Sequence, residues 1–104
     1  MDGDNFVRDM LEEELERNGR ACAAYEAEIA RLPRGSVEVR RRGSREYCYL
    51  KYRDGSRVVT EYAGPAEKVE GELRSAVERR RAAEATLRRL DAERRFTERA
   101  LGLR

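Results

Sequence analysis

The chain has 104 residues, 42% charged and 39% hydrophobic, with a mean hydropathy of −0.91; these values suit a single domain over 1–104 and leave no room for a large enclosed active site. It has no His and no Trp, and Cys22 and Cys48 are its only thiols, so the common general base, the commonest metal ligand and a Cys–His pair are missing and we expect no enzyme, no metal site and no cofactor. No apolar run approaches the roughly 18 to 20 residues of a membrane span and the start is acidic, which predicts a cytoplasmic chain without membrane contact.

Over 4–32 the apolar residues recur with helical spacing. A heptad frame puts Leu11, Asn18, Tyr25 and Leu32 at d and Leu15, Cys22 and Ile29 at a. Asp2 or Asp4 suits the N-cap, and Pro33 followed by Gly35 ends the helix. Gly19 weakens it by about 1 kcal/mol relative to Ala. Residues 1–32 carry four Arg against nine acids, a net −5, and the Glu-rich first turns suit the positive end of the helix dipole.

Over 36–63 the charge reverses in sign: residues 33–57 hold seven Arg and Lys51 against three acids, a net +5. The stretches 37–42, 45–53 and 56–63 are rich in Val, Tyr and Thr and are separated by Gly43-Ser44 and Asp54-Gly55, which predicts a three-stranded antiparallel meander. Counting outward from Gly43-Ser44 opposes Arg40 to Tyr47, Val39 to Cys48 and Val37 to Leu50. Counting from Asp54-Gly55 opposes Tyr52 to Arg57, Leu50 to Val59, Tyr49 to Thr60 and Tyr47 to Tyr62. Strand alternation then collects Val37, Val39, Cys48, Leu50, Tyr52 and Val59 on a face for the helices. The opposite face gathers Arg40, Arg42, Tyr47, Tyr49, Lys51, Arg53 and Tyr62, with Glu38, Val58 and Thr60 among them.

Over 65–102 helical spacing returns, with Pro65 suited to the first helical position, Val69, Ala76, Ala83, Leu90 and Thr97 at d and Leu73, Arg80, Leu87, Arg94 and Leu101 at a. Residues 58–104 total +2. Folding the chain back through the meander pairs the two seams antiparallel, Leu32 near Val69, Cys22 near Arg80, Asn18 near Ala83 and Leu11 near Leu90. The fold class is therefore α+β, a long antiparallel two-helix coiled coil with the meander inserted between its helices. In this register some ten residues at the end of the second helix lack a partner. Leu87, Leu90, Phe96 and Leu101, with Phe6 and Val7 nearby, then form a seam for a homodimer in which Arg80 and Arg94 meet acids of a second copy.

The runs Leu32-Pro33-Arg34-Gly35-Ser36, 47–55 (Tyr-Cys-Tyr-Leu-Lys-Tyr-Arg-Asp-Gly) and 58–64 (Val-Val-Thr-Glu-Tyr-Ala-Gly) resemble a group of small uncharacterised bacterial proteins built as helix, β-meander, helix. The resemblance covers about 25–90 and implies a fold but no activity. Those relatives read Tyr-Tyr-Tyr-Leu in the second strand where this chain has Cys48. The Tyr- and Arg-rich meander is also loosely similar to the small three-stranded DNA-reading domains of tyrosine recombinases, at the level of fold.

Two functions compete for the basic, Tyr-rich face. Arg and Lys neutralise phosphates and Tyr stacks on unpaired bases, which points to nucleic-acid binding. The alternative is a protein-interaction or assembly scaffold acting through the coiled coil, with the same face merely solvated and its tyrosines covered by cation–π stacking. The Arg pairs of the second helix alternate with acids at ion-pairing spacing and read as a solvated surface. Cys22 and Cys48 read as small buried hydrophobes.

Overall fold

In the computed structural model, residues 3–103 are described, with side chains from Asn5 onward. Asp2 and the side chain of Asp4, the expected caps, lie outside that range. Helix α1 (Gly3–Arg31) is followed by strands β1 (Ser36–Arg42), β2 (Arg45–Asp54) and β3 (Arg57–Pro65) and by helix α2 (Ala66–Ala100). This is the α+β order that the sequence implies. Pro65 ends β3 instead of opening α2; β3 is an edge strand, where a residue without an N–H is tolerated. Among the described residues no helix is long and apolar enough to cross a membrane. The chain divides into two compact units, Arg31–Ala82 and the remainder, the latter built from residues up to Ala30 and from Ala83 on.

In the sheet unit the strand order is β1-β2-β3, antiparallel throughout. The first hairpin has the expected register, Arg40↔Tyr47, Val39↔Cys48 and Val37↔Leu50. The second does not: its turn is Gly55-Ser56, closed by Asp54↔Arg57, so Tyr52 opposes Val59 instead of Arg57, and Tyr62 opposes Tyr49 instead of Tyr47. Gly43 and Gly55 have φ of +62° and +64°, and among the described residues only glycines have positive φ. A two-residue loop with positive φ only at its first position takes Gly there and any residue next, whereas an Asp-Gly loop needs positive φ at Asp as well. Both hairpins therefore close on Gly-Ser.

The displacement is two residues, and strand alternation has a period of two. Val37, Val39, Cys48, Leu50, Tyr52 and Val59 hence still share a face. Past Tyr49↔Tyr62 the register shifts to Cys48↔Gly64, leaving Ala63 as a bulge. The bulge turns Gly64 inward, where an added Cβ would stand 3.1 Å from Val69 Cγ1. Cys48 beside it is fully buried and Val77 of α2 nearly so. Two arginines of α2 reach the connection between α1 and β1: Arg80 Nη1 donates to the Leu32 carbonyl at 2.7 Å and Arg81 Nη2 to that of Gly35 at 3.1 Å. Arg80 thus serves the carbonyl end of α1, which has orphan acceptors and partial negative charge.

In the helix-pair unit α1 and the second half of α2 pack antiparallel. Asn18, 5% exposed, donates through Nδ2 to the Leu90 carbonyl at 2.8 Å and accepts from the Cys22 thiol at 3.4 Å. Cys22 Sγ also lies 4.0 Å from Asp91 Oδ1. Val7, Leu11, Ala100 and Leu101 border a shallow cleft of about 180 Å³. Gly102 and Leu103 close α2 by donating to the Arg99 and Glu98 carbonyls, both within 3.0 Å, in a Schellman arrangement.

These contacts correct the expected helix register. Asn18 meets Leu90 instead of Ala83, Cys22 meets Asp91 instead of Arg80, and Leu11 borders the same cleft as Leu101. In the sheet unit, likewise, Leu32 meets Arg80 instead of Val69. The cause lies in the first turns of α2, where Val69 stands against Gly64 of β3 and Glu70 and Arg74 lie close enough to Cys48 of β2 to act on its thiol. The surplus length of α2 is therefore spent at its beginning. Thr97 and Leu101, which the sequence register left without a partner, are buried at 7% and 6% exposure.

Burial raises both thiols above the ordinary value of 9.0, with Asp91 adding to the effect at Cys22 and Glu70 at Cys48. A thiol that ionises less readily folded than unfolded gives stability that is complete below the unfolded pKa and lost as pH rises toward the folded one. Urea midpoints should therefore be flat from neutral pH to about 8.5 and fall above it, and a chain carrying Cys22→Ala and Cys48→Ala should stay flat to about pH 10, above which the raised pKa of Tyr52 acts in the same direction. An Ellman titration of the native chain should be slow until urea is added.

Candidate functional site on the tyrosine face of the sheet

Opposite the buried face, alternation and the observed register align β2 residues Arg45, Tyr47, Tyr49, Lys51 and Arg53 with Glu38, Arg40 and Arg42 on β1 and Val58, Thr60 and Tyr62 on β3. Because Tyr62 opposes Tyr49, three rings meet: Tyr62 lies 5.6 Å edge-on from Tyr49 and 6.2 Å from Tyr47. Both separations fall in the range of favourable aromatic pairs. The Arg40 guanidinium stacks over Tyr49 at 4.6 Å. Its Nε also donates to Glu38 at 3.0 Å. That bond, assisted by the charges of Arg40 and Lys51, holds the Glu38 carboxyl below its ordinary pKa.

Cations flank the rings at both ends, Arg42 and Arg45 beside the first turn and Lys51 and Arg53 toward the second. Tyr47 and Tyr49 are half-buried, Tyr62 is 60% exposed, and Arg40, Arg42, Lys51 and Arg53 are exposed. Among the described residues, Arg42, Arg45 and Arg53 have neither a hydrogen bond nor an ion pair from their side chains. Arg45 escapes a reading that starts the face at Tyr47, although counting two residues back along the strand finds it. The chemistry offered is a cluster of π faces rimmed by cations, with one carboxylate, Glu38, already engaged.

Tyr52, by contrast, belongs to the other face. It donates to Glu61 at 2.5 Å and lies under the Arg34 guanidinium at 4.7 Å, and the bond to Glu61 raises its pKa.

The residues expected to form an oligomer seam differ in burial. Leu87 and Leu90 are half-buried, Leu101 is buried within the chain, and Phe96 is 66% exposed. Arg94 bonds Asp91 of its own helix at 3.0 Å.

Residues 10–75 match the family described as a domain of unknown function, DUF6788, and the chain belongs to that family. The match spans most of α1, the whole meander and the start of α2. No curated protein and no solved structure matches the chain.

Proposed function

We propose that this member of the family is a non-enzymatic binding module that takes nucleic acid on the tyrosine face of its sheet. The carrying observation is the convergence of Tyr47, Tyr49 and Tyr62 between two groups of cations. Exposed aromatic rings bind bases that have left a duplex stack, and the surrounding Arg and Lys neutralise the backbone while releasing its counterions. A cytoplasmic location accords with two free, buried cysteines, since reducing compartments keep thiols unpaired.

The proposal is tested by fluorescence anisotropy with labelled single-stranded and duplex oligonucleotides over a salt series. Affinity should fall steeply with salt, and Arg40→Ala with Lys51→Ala should reduce the log–log slope by about 0.7 per lost contact on a single strand. Tyr49→Ala and Tyr62→Ala should each weaken single-strand binding by about 1–3 kcal/mol while leaving the slope in place. Absence of binding at low salt would reject this function in favour of a protein-interaction scaffold. Binding that survives all four substitutions would reject this face.

A further inference from the structure

Among the described residues seven large hydrophobics are more than half exposed, and they fall into two groups. Val58 and Tyr62 belong to the tyrosine face. The other five, Phe6, Val7, Met10, Phe96 and Leu103, all belong to the helix-pair unit, on the first turns of α1 and the last part of the chain after Arg95. Phe6 and Met10 are four residues apart and share one side of α1. Val7 alone of the five borders the cleft that Arg8, Leu11, Ala100 and Leu101 also line, which sets the first turns of α1 beside the end of α2. Large apolar side chains left exposed in such number at one end of a small unit mark an interaction surface.

We propose that this end of the helix pair is covered by a second copy of the same chain, with α1 of one protomer laid on α2 of its partner across a two-fold axis. Charge selects that pairing. Residues 5–17 of α1 carry a net −3 and residues 88–99 of α2 a net +2. Laying α1 on the partner's α1 would bring like charges together, whereas α1 on α2 brings opposite ones, twice, by symmetry.

A standard interface takes about 800 Å² per partner, roughly a tenth of the 7697 Å² that this chain exposes. The inference stands apart from the reading of the tyrosine face and uses none of its residues.

Light scattering on the full chain, from low micromolar to near-millimolar concentration, should give twice 12.1 kDa. Phe96→Asp and Met10→Asp should each shift the chain to monomer with unchanged helicity by circular dichroism, because both side chains are more than half exposed and neither supports the fold. A chain that stays monomeric at every concentration overturns the proposal, and so does a dimer that both variants leave intact. The pairing is read separately by mild oxidation of an equimolar mixture of Met10→Cys and Phe96→Cys chains; Cys22 and Cys48 are buried and do not interfere. The mixed disulfide should dominate. A product made mainly of two Met10→Cys chains would overturn the pairing of α1 with the partner's α2.

Discussion

Gly35→Ala should cost the chain at least about 3 kcal/mol, a third or more of the stability of an ordinary small domain. Gly35 sits between α1 and β1 with φ at +102°, a conformation that side chains rarely adopt, and its carbonyl accepts from Arg81. An added Cβ would collide with the backbone carbonyl oxygen of Lys51 and stand 2.8 Å from Tyr52 Cβ. Neither obstacle yields cheaply, since one is backbone within the central strand and the other is fixed to it. Gly43→Ala makes the control. Gly43 also has positive φ, at +62°, yet nothing lies within 4 Å of the position its Cβ would take. It should cost only the backbone term, about 1–2 kcal/mol. Thermal melts should therefore separate the two variants, with Gly35→Ala lower than the native chain by on the order of 10–20 °C at about 4–8 °C per kcal/mol. Equal midpoints for the two would mean that the close approach to Lys51 carries no energy.

How much of this was legible beforehand differs by level. Alternation along 45–53 assigns both faces of the sheet, and because a two-residue error leaves faces unchanged, Tyr47, Tyr49 and Tyr62 are correctly grouped even from the wrong hairpin turn. The turn itself was misread because Asp54-Gly55 is a stronger local signal than Gly55-Ser56. Which one closes the loop depends on where positive φ is needed, and composition does not carry that. Arg40 over Tyr49 and the edge-on contact of Tyr49 with Tyr62 depend on register and rotamer, so their distances were out of reach as well. The helix seams show a different limit. An a/d pattern recurs along the whole helix, so sliding one helix past the other by two or three turns still sets one apolar stripe against the other; the observed partners lie seven residues from the expected ones at Asn18 and eleven at Cys22. Leucines therefore reveal that α1 and α2 have matching seams without telling which turn meets which. Only residues that do not repeat can choose, and here they are Arg80, which meets the Leu32 carbonyl, and Asn18, which meets that of Leu90.

Asn18 should accordingly behave as a register pin. Its amide nitrogen is the donor to Leu90 and its amide oxygen the acceptor for Cys22, all within a seam where it is 5% exposed. Asn18→Asp preserves shape but replaces the donor with a carboxylate oxygen facing a carbonyl oxygen, in a place water hardly reaches, and should cost about 3 kcal/mol at neutral pH. Burial and the facing carbonyl both favour the protonated form of the introduced carboxyl, so its folded pKa lies above its unfolded one. The deficit should then shrink as pH falls through that interval, where the protonated acid can donate to Leu90 in place of the lost amide. Asn18→Leu gives the opposite result: with no buried polar group to satisfy, the helix pair keeps or gains stability but loses the contact that distinguishes one heptad alignment from the next. Urea denaturation at two pH values measures the first effect, and the dispersion of amide resonances in the Leu variant measures the second. Asn18→Asp as stable as the native chain at neutral pH, or Asn18→Leu with a single undisturbed set of resonances, would show that register is held elsewhere, with Arg80 the next residue to change.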